Sequence, residues 1–353
     1  MTVIQGVNTA VIAATDHNIK VAGNITTMPE KYRAYQYLKY GPPDTELHLR
    51  KDVPMSPLQP THLRIKVHSA ALNPADQKIM QDFGLAVTGR QPTADNPFGM
   101  GFDVAGTVVE TGTNTHQFQV GDAVFAMAPY SDFGTFAEFV AIDEEFVALK
   151  PANITFEEAA SIPYAALTSY QALREHTNVK AGERVLILGG STATGMAAIQ
   201  LAHAIGAHVI ATARGCQDYL LVQSLGAEKV IDSSKQNWVD VVAEHSVDVV
   251  YDCGVERKAW NRDAQTVLKK DTGRFVTINP MMQPRPAKFG AKCIGEIMVH
   301  ASGAQLKELS RFVTSGALKP VIDSTYSFDQ LLPALAKLES KNTHGKVVLR
   351  AVY

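Results

Sequence analysis

The first part of the chain alternates apolar and polar residues over short runs. The stretch HLRIKVHSAAL at 62–72 alternates as a half-buried strand does. VAGTVVETG at 104–112 and GDAVFAM at 121–127 are further strand-like runs that end or begin at glycine. Helical spacing is scarce between about residues 31 and 153. This pattern predicts a β-rich, barrel-like domain.

The pattern changes near Ile154. TFEEAASI starts with a threonine and has acids in its first turn, which is typical of a helix N-terminus. From residue 183 onward, helical stretches alternate with short apolar runs, namely RVLIL, HVIATA, KVID, DVVYDC and RFVTIN. This alternation predicts a parallel, doubly wound sheet with crossover helices.

These patterns divide the chain into three predicted parts. Residues 1–30 form an N-terminal extension, 154–302 form a cofactor-binding domain, and 31–153 form a catalytic domain. The strand-like GKVVLRAVY at the end of the chain predicts that residues 303–353 return to the catalytic domain. In the extension, TAVIAA at 9–14 is too short for a signal core, and the arginines of a mitochondrial presequence are missing. We expect a partly ordered tail there.

A glycine-rich turn, LGGSTATGMA at 188–197, joins the RVLIL strand to a helix. Such a turn can hold a dinucleotide pyrophosphate, because backbone N–H groups point outward at a helix N-terminus. Glycine lets the chain leave the strand sharply and lets the helix pack close to the sheet. Similar turns also end strands for purely structural reasons. The candidate cofactor residues of the turn are Gly189, Ser191, Thr192, Ala193, Thr194 and Gly195.

Arg214 indicates which dinucleotide binds. In doubly wound folds an acid at the end of the second strand holds the ribose diol of NAD. Here that strand ends in ATARG, so an arginine stands close to the expected ribose. Arginine suits a phosphate better than a diol, which favours NADPH. The alternative is an ordinary surface arginine.

Composition and charge narrow the functional classes. The chain has 353 residues, of which 46% are hydrophobic and 19% charged, and its formal net charge is -2. This charge gives no electrostatic case for binding nucleic acid or an anionic membrane. No apolar run is long enough to span a bilayer. The three cysteines, Cys216, Cys253 and Cys293, include no CxxC pair, so we expect a reducing compartment and a cytoplasmic location.

Together these features resemble the medium-chain dehydrogenase/reductase superfamily over nearly all of residues 33–353. The resemblance implies a GroES-like barrel domain beside a Rossmann domain. The segments that carry it, besides the turn, are ALNPADQKI, GFDVAGTVVETG, VGDAVFA, GTFAEFV, AASIPYAALTSYQAL, SLGAEKVID, SGALKPVID and HGKVVL.

The zinc ligands of the alcohol dehydrogenases in this superfamily are missing. Asn73 stands where the first cysteine would be, Phe102-Asp103 where His-Glu would be, and Tyr164 near the last cysteine. A zinc site needs converging imidazole, thiolate or carboxylate donors. The cysteine-rich lobe for a structural zinc is missing as well. We therefore expect no metal.

The chain is similar to the zinc-free quinone oxidoreductase and enoyl reductase branch. This resemblance implies hydride transfer from NADPH to an electron-poor quinone or to a conjugated carbonyl. It places Asn73 beside the nicotinamide and makes Lys78 a candidate to bind or protonate the acceptor oxygen. A solvated surface lysine is the alternative for Lys78. Tyr130 and Tyr164 are further candidates, with buried core tyrosines as the alternative.

Further cofactor candidates lie outside the turn. The resemblance implies that Thr168 lies near the cofactor and that Lys341 reaches the 2′-phosphate. Cys253 and Asn279 follow strand ends, where ligands collect in open α/β folds. Tyr219 is also a candidate. Two positions depart from some quinone reductases, which have lysine and tyrosine for the phosphate where this chain has Asp218 and Ser233.

The leading prediction is an NADPH-dependent quinone oxidoreductase that works without metal. The first alternative is an NADPH-dependent enoyl or enone reductase. The second, from another class, is a catalytically idle cofactor-binding or structural protein. The predicted partner is a small-molecule quinone or enone, and a homodimer and a monomer both remain open.

Overall fold

The computed structural model describes residues 28–351. Nearly all of the predicted extension 1–30, including its apolar run at 9–14, lies outside the described residues. Within 28–351, no helix is both long and apolar enough to cross a membrane.

The first part of the chain is a barrel-like domain of strands. Its strands are β1 (Lys31–Tyr37), β2 (His48–Pro54), β3 (His62–Ala71), β4 (Phe98–Gly99), β5 (Asp103–Thr111), β6 (Ala123–Met127), β7 (Phe139–Asp143) and β8 (Val147–Leu149). Short helices interrupt them: α1 (Pro43–Glu46), α2 (Pro74–Lys78), a π-helical turn (Ile79–Phe83), α3 (Gly84–Thr88) and a 3-10 turn (Glu144–Phe146).

β3 is the central strand of the larger sheet. It pairs antiparallel with β5 from Leu63↔Thr111 to Ala71↔Asp103, and β7 also pairs with it. The apolar residues that the alternation predicted to face inward, Leu63, Ile65 and Val67, are buried. A separate small sheet has the order β2-β1-β4. The predicted β-rich domain is therefore confirmed.

Two short helices lead from the barrel into the second domain. These are α4 (Phe156–Ala160) and α5 (Pro163–Tyr170), and α5 continues as a π-helical turn (Gln171–His176). Thr155 and Glu158 form a capping box at the start of α4, as the sequence indicated.

The second domain contains a six-stranded parallel sheet with the order β11-β10-β9-β12-β13-β14. Its strands are β9 (Arg184–Leu188), β10 (His208–Ala213), β11 (Lys229–Asp232), β12 (Val249–Asp252), β13 (Arg274–Thr277) and β14 (Lys292–Glu296). Its helical segments are α6 (Ala193–Ile205), α7 (Gly215–Ser224), a 3-10 turn (Trp238–Asp240), a π-helical turn (Trp260–Ala264) and α8 (Gln265–Val267). The strand order reverses between β9 and β12, which opens a crevice at their carboxyl ends. The predicted Rossmann fold is confirmed.

β14 is a strand that the hydrophobic pattern missed. Its sequence, KCIGE, is only half-buried and contains Gly295 with a φ of 88°. A register shift between Phe275 and Val276 accommodates it beside β13. The strand lies at the edge of the sheet, where pairing with β13 rather than an apolar run fixes its conformation.

The last part of the chain returns to the barrel. Its elements are α9 (Gly303–Thr314), β15 (Ile322–Ser327), a 3-10 turn (Phe328–Gln330), α10 (Leu331–Glu339) and β16 (Lys346–Arg350). β16 pairs parallel with β15 and antiparallel with β3, through Val348↔Ala71. The end of the described chain thus lies in the larger barrel sheet. The domain limits 31–153, 154–302 and 303–353 stay a prediction.

Trp260 anchors the segment after β12 to the sheet. Its side chain is fully buried, packs against Phe275 with 5.6 Å between ring centroids, and donates a 2.7 Å hydrogen bond to the Arg285 carbonyl. The ring therefore ties the chain that follows β12 to the loop that follows β13.

We expect Trp260→Ala to lower the free energy of unfolding by about 3–5 kcal/mol, because it leaves a cavity and an unpaired carbonyl. Leu220→Ala, which removes an exposed side chain from α7, should change it by less than about 0.5 kcal/mol. Urea unfolding followed by circular dichroism measures both changes. Equal losses in the two variants would contradict this role for Trp260.

Candidate functional site

The side-chain hydroxyl of Thr192 fixes the turn that follows β9. Thr192 caps α6, because its Oγ1 accepts a hydrogen bond from the Gly195 N–H at 3.0 Å. The same hydroxyl donates to the Gly189 carbonyl at 2.8 Å. The sequence indicated that the Thr192 hydroxyl and the Gly195 N–H face a phosphate, whereas the structure uses both to close the turn.

Other groups of the turn are left to bind an anion. The N–H groups of Ser191, Ala193 and Thr194, and the hydroxyls of Ser191 and Thr194, have no hydrogen-bond acceptor among residues 28–351. The N–H groups lie at the start of the 13-residue helix α6, where the helix dipole also favours negative charge. A dinucleotide pyrophosphate fits these donors.

Gly195 is required for packing inside the turn. A Cβ atom there would lie 2.1 Å from the Gly189 carbonyl oxygen and 2.8 Å from the Gly190 Cα. Any larger residue would therefore push α6 away from β9 before it met a cofactor. Gly189 has a φ of 85°, which glycine adopts without strain.

Thr212 in β10 fixes the turn from the neighbouring strand, and the sequence analysis did not identify it. Its Oγ1 accepts from the Gly189 N–H at 2.8 Å, and its carbonyl accepts from the Gly190 N–H at 2.8 Å. No sequence motif marks this threonine, because the contact depends on the pairing of β9 with β10.

Arg214 lies exposed at the end of β10, where it precedes α7. Its guanidinium has no hydrogen-bond or ion-pair partner in the described part of the chain. Asp232, at the end of the next strand, accepts hydrogen bonds from the Ser234 hydroxyl and the Gly215 N–H. These bonds, with that of Ser234 first, hold the pKa of Asp232 well below its usual range. Arg214 is therefore free to meet an external anion.

The adenosine side of the crevice has a contact between the two domains. His344, just before β16, makes a 2.5 Å hydrogen bond with the Asp218 carboxylate on α7. Asp218, which departs from the phosphate-binding pattern of some relatives, is thus held by the protein. Tyr219 is half-buried on the same helix, and Lys341 lies in the loop after α10 with a φ of 54°.

Asn73 is part of a buried cluster at the start of α2. Lys346 donates to the Asn73 Oδ1 at 2.5 Å and to the Asp103 Oδ2 at 2.8 Å. The Asn73 Nδ2 donates to the same Asp103 oxygen at 2.9 Å, and the other oxygen accepts from the Tyr164 N–H at 2.7 Å. The amide of Asn73 is thus engaged with protein groups, and its predicted place beside the nicotinamide stays a prediction. Lys346 is not among the candidates from the sequence. A lysine that is buried in an apolar run such as GKVVL needs an acidic partner.

Tyr130, Tyr164 and Phe102 pack together, and we call these three rings the aromatic wall. The two tyrosine hydroxyls are its polar groups. These hydroxyls are 2.8 Å apart, and the ring of Phe102 lies 5.1 Å from the Tyr130 ring and 5.6 Å from the Tyr164 ring. Burial raises the pKa of Tyr130 to about 12, with opposition from the Tyr164 hydrogen bond. Burial also raises the pKa of Tyr164 well above its usual value. Both phenols are therefore neutral near pH 7 and can donate hydrogen bonds.

Lys78 ends α2 and is half-exposed to solvent. Burial lowers its pKa, and repulsion from Arg257 and Lys341 lowers it further. The charges of two sequence candidates, Lys78 and Lys341, thus act on each other in the structure. The structure adds Arg257, which the sequence analysis did not identify because it lies in a loop without a recognisable motif.

Thr168, Cys253 and Asn279 are all buried. The Thr168 hydroxyl donates to the Tyr164 carbonyl at 2.6 Å, and the Asn279 side-chain amide donates to Asp252. Burial raises the pKa of the Cys253 thiol well above its usual value, so it stays protonated. Cys253 and Asn279 follow the carboxyl ends of β12 and β13, and Thr168 lies in α5.

The donor set does not fit zinc. The three positions that hold zinc in the alcohol dehydrogenases carry an amide already bonded to Lys346, the ring of Phe102 and the phenol of Tyr164. Zinc prefers imidazole, thiolate and carboxylate ligands. Within residues 28–351, no group of three histidine, cysteine, aspartate or glutamate side chains is placed to hold a metal ion.

Comparison with known proteins places the chain in a family. The description "Alcohol dehydrogenase GroES-like domain" matches residues 59–152, and "Zinc-binding dehydrogenase" matches residues 225–349. The 2-methylene-furan-3-one reductase of Solanum lycopersicum is 34% identical over 92% of this chain and 81% of its own. The chain belongs to the medium-chain dehydrogenase/reductase superfamily. The resemblance stated from the sequence is therefore confirmed, and the chain is an oxidoreductase of that superfamily.

Two further members of the superfamily are similar over most of their length. The chloroplastic NADPH-dependent alkenal/one oxidoreductase of Arabidopsis thaliana is 33% identical over 96% of this chain and 85% of its own. The structure of the quinone oxidoreductase from Coxiella burnetii superposes with a TM-score of 0.79 at 28% identity, and covers 90% of this chain and 99% of that chain. The chain thus lies in the branch of the superfamily that contains quinone oxidoreductases and alkenal/one reductases.

Asp76 is a buried carboxyl group under the aromatic wall. Its Oδ2 accepts from the Asn73 N–H at 2.6 Å, while its Oδ1 is buried without a hydrogen-bond partner in the described chain. Burial raises the pKa of Asp76 to about 8, and the Asn73 N–H opposes this shift while the charge of Asp103 adds to it. The carboxyl is therefore mostly protonated at pH 7.

Asp76→Asn should change how the stability of the protein depends on pH. The pKa is raised in the folded state, so the contribution of Asp76 to stability is complete below the unfolded pKa and is lost as pH rises through about 8. An amide mimics the protonated carboxyl and removes this loss. We expect the melting temperature of the variant, relative to wild type, to rise between about pH 5 and pH 8.

The control is Asp240→Asn, which neutralises an exposed carboxylate in the turn before Val241. Its melting temperature relative to wild type should stay nearly flat over the same pH range. Thermal scans in matched buffers measure both differences. If the Asp76→Asn difference were as flat as that of the control, Asp76 would not titrate in this range.

Proposed function

We propose that this protein uses NADPH to reduce conjugated carbonyl compounds at the carbon–carbon double bond, with quinones as a second class of acceptor. The observation that carries the proposal is the hydrogen-bonded pair of neutral phenols Tyr130 and Tyr164, of which Tyr164 lies near the position of the last zinc cysteine in the zinc relatives. Enones are the first acceptor class because two relatives, 34% and 33% identical, are named for a furanone and for alkenals and enones. This order reverses the sequence-based preference for a quinone.

Three features of the crevice suit an NADPH molecule. The free N–H groups at the start of α6 can receive the pyrophosphate. Close packing of Gly195 on Gly189 lets the helix start directly against the strand. The unpaired Arg214 can receive a 2′-phosphate in a charge-assisted hydrogen bond. Bound NADPH would supply the hydride for the β-carbon of the acceptor.

The phenols act on the oxygen of the acceptor. Negative charge develops on a conjugated oxygen as the β-carbon is reduced, and a donor already oriented toward that oxygen stabilises the charge. Tyr130 can donate a hydrogen bond to the acceptor oxygen. Tyr164 would then donate its own hydrogen bond to the Tyr130 hydroxyl oxygen. The second hydrogen of the product arrives as a proton, so the acceptor gains two hydrogens in all. Phe102 beside the pair keeps the wall apolar.

Lys78 has a second role in this proposal. Its exposed ammonium lies at the end of α2, where it can neutralise charge on the acceptor. A cytoplasmic location and a homodimer remain predictions from the sequence, and the Arabidopsis relative is chloroplastic by name.

The test of the proposal is an acceptor panel with NADPH, which contains but-3-en-2-one, trans-2-hexenal and 1,4-benzoquinone. We expect NADPH oxidation with the enone and the enal, saturated carbonyl products by mass spectrometry, and rates unaffected by EDTA. Tyr130→Phe should lower kcat by about 100-fold, the typical effect of losing one oriented donor. Tyr326→Phe removes a hydroxyl from the edge strand β15 and should retain the wild-type rate.

Two results would contradict this proposal. Tight NADPH binding without turnover of any acceptor would favour the idle cofactor-binding protein. An unchanged kcat in folded Tyr130→Phe would remove the phenol pair from the mechanism.

Cofactor preference is tested at Arg214. A charged hydrogen bond to the 2′-phosphate contributes about 1.5–3 kcal/mol, which corresponds to a preference of roughly 10- to 100-fold for NADPH over NADH. Arg214→Asp should remove this preference, because the carboxylate repels the phosphate and can accept from the ribose diol. The measurement is kcat/KM with each cofactor at one fixed acceptor concentration.

The matched control is Lys307→Asp, which makes the same change of charge on the exposed face of α9. Its NADPH to NADH ratio should equal that of wild type. If wild type itself prefers NADH, or if the ratio stays constant in Arg214→Asp, the assignment of Arg214 is wrong. The double change Arg214→Asp with Lys341→Ala should lower the ratio further if Lys341 also reaches the phosphate.

A further inference from the structure

A groove opens where β12 and β13 end, and its lining is positively charged. Its volume is about 510 Å³. Three of the nine lining residues are cations and none is an acid; the lining consists of Arg257, Lys258, Asn261, Asn279, Pro280, Met281, Met282, Gln283 and Arg285. We call these nine residues the basic groove. In a chain with a net charge of -2, this concentration of positive charge is local.

The charge extends beyond the groove to the end of α2. Repulsion from Arg257 and Lys341 lowers the pKa of Lys78, so positive charge from the groove acts on that ammonium. In the part of the chain that the structure describes, none of Lys78, Arg257 and Lys341 has a carboxylate within ion-pair distance. Like charges held together without a counter-charge are unfavourable unless an anion joins them.

The carboxylates near these loops are already engaged. One Asp252 oxygen accepts from the Val255 and Glu256 N–H groups, both at 3.0 Å, and the other accepts from Thr277 at 2.8 Å. Glu296 accepts from the Met281 N–H at 2.7 Å, and Glu256 accepts from Trp238 at 2.8 Å. Asp82 is the acid that acts on Lys78, and its effect is smaller than the two repulsions. The cations of the groove thus remain available.

The cofactor phosphates have other donors. The pyrophosphate would lie on the N–H groups of α6, after β9, and the 2′-phosphate beside Arg214, after β10. β10 lies on one side of β9 in the sheet, whereas β12 and β13 lie on the other. The basic groove therefore lies on the side of β9 away from Arg214, which is the side where the proposed function puts the acceptor.

We propose that the basic groove binds an anionic tail on the acceptor, so that the preferred substrate is a conjugated carbonyl compound carrying a phosphate or carboxylate group. This rests on the proposed function. Arg257 and Lys258 would receive the anion. Met281, which is 73% exposed, and Met282 offer apolar contact to the arm that joins the anion to the reactive carbonyl. The groove would thus act as a specificity site outside the reacting atoms.

The test compares pairs of acceptors that share the reactive group and differ in charge. Crotonyl-4′-phosphopantetheine and crotonyl-pantetheine are the same enoyl thioester with and without a phosphate. Trans-6-oxo-4-heptenoate and trans-3-hepten-2-one differ by a carboxylate that is not conjugated with the double bond. We expect kcat/KM at least tenfold higher for the charged member of one pair, and a preference that falls as salt is added. The pair that shows it identifies the anion as a phosphate or a carboxylate.

Arg257→Ala should lower that preference about tenfold, mainly through KM for the charged acceptor. Lys307→Ala removes an exposed lysine from α9 and should keep the wild-type preference. The Kd of NADPH, from fluorescence titration, separates the sites and should change less than the KM of the charged acceptor. Melting temperatures confirm that both variants fold.

The outcomes separate this inference from the function on which it rests. No turnover of any of the four acceptors, or of those in the earlier panel, overturns the proposed function. Turnover without a charge preference overturns the anionic-tail proposal alone. The anionic-tail proposal is also overturned if Arg257→Ala weakens NADPH binding and lowers kcat/KM equally for both members of a pair. The groove would then serve the cofactor.

Discussion

The buried ion pair between Lys346 and Asp103 is the contact on which the geometry of the site depends. Lys346 begins β16 and Asp103 begins β5, so the pair joins two strands that flank β3. Asp103 also accepts from the Tyr164 N–H, which attaches α5 to the barrel. An isolated charge at this depth would be costly, by about 3–5 kcal/mol when a partner is lost, whereas the hydrogen-bonded pair is tolerated. The end of the chain is thereby held against residues more than two hundred positions earlier.

This cluster also determines what the site can do without metal. Asn73 and Asp103 stand at positions that hold or support zinc in related alcohol dehydrogenases, but here they are bonded to Lys346. The Tyr164 phenol is left on the crevice side, next to Tyr130. Burial keeps both phenols protonated, so each can donate a hydrogen bond. Conjugated acceptors suit such a donor because their own oxygen takes up the developing charge.

In the glycine-rich turn as well, hydrogen bonds within the protein determine which N–H and hydroxyl groups stay free to bind a ligand. Thr192 uses its hydroxyl to cap α6. That cap consumes the Gly195 N–H and leaves the Ala193 and Thr194 N–H groups open. The opposite side of the crevice has an excess of cations at the ends of β12 and β13. The turn thus presents uncharged donors, and the ends of β12 and β13 present positive charge.

The sequence by itself determined the two folds and the location of the glycine-rich turn. Periodicity changes near Ile154, and strand–helix alternation with a glycine turn after its first strand predicts a doubly wound domain. The tertiary structure decided which candidates meet. Asn73 is engaged by Lys346, which lies 273 positions away, and Lys78 shares its field with Arg257 and Lys341 from other loops. Local patterns report local conformation, whereas pairing of buried charges and clustering of cations depend on how distant segments pack, and for that reason only the folded chain shows them.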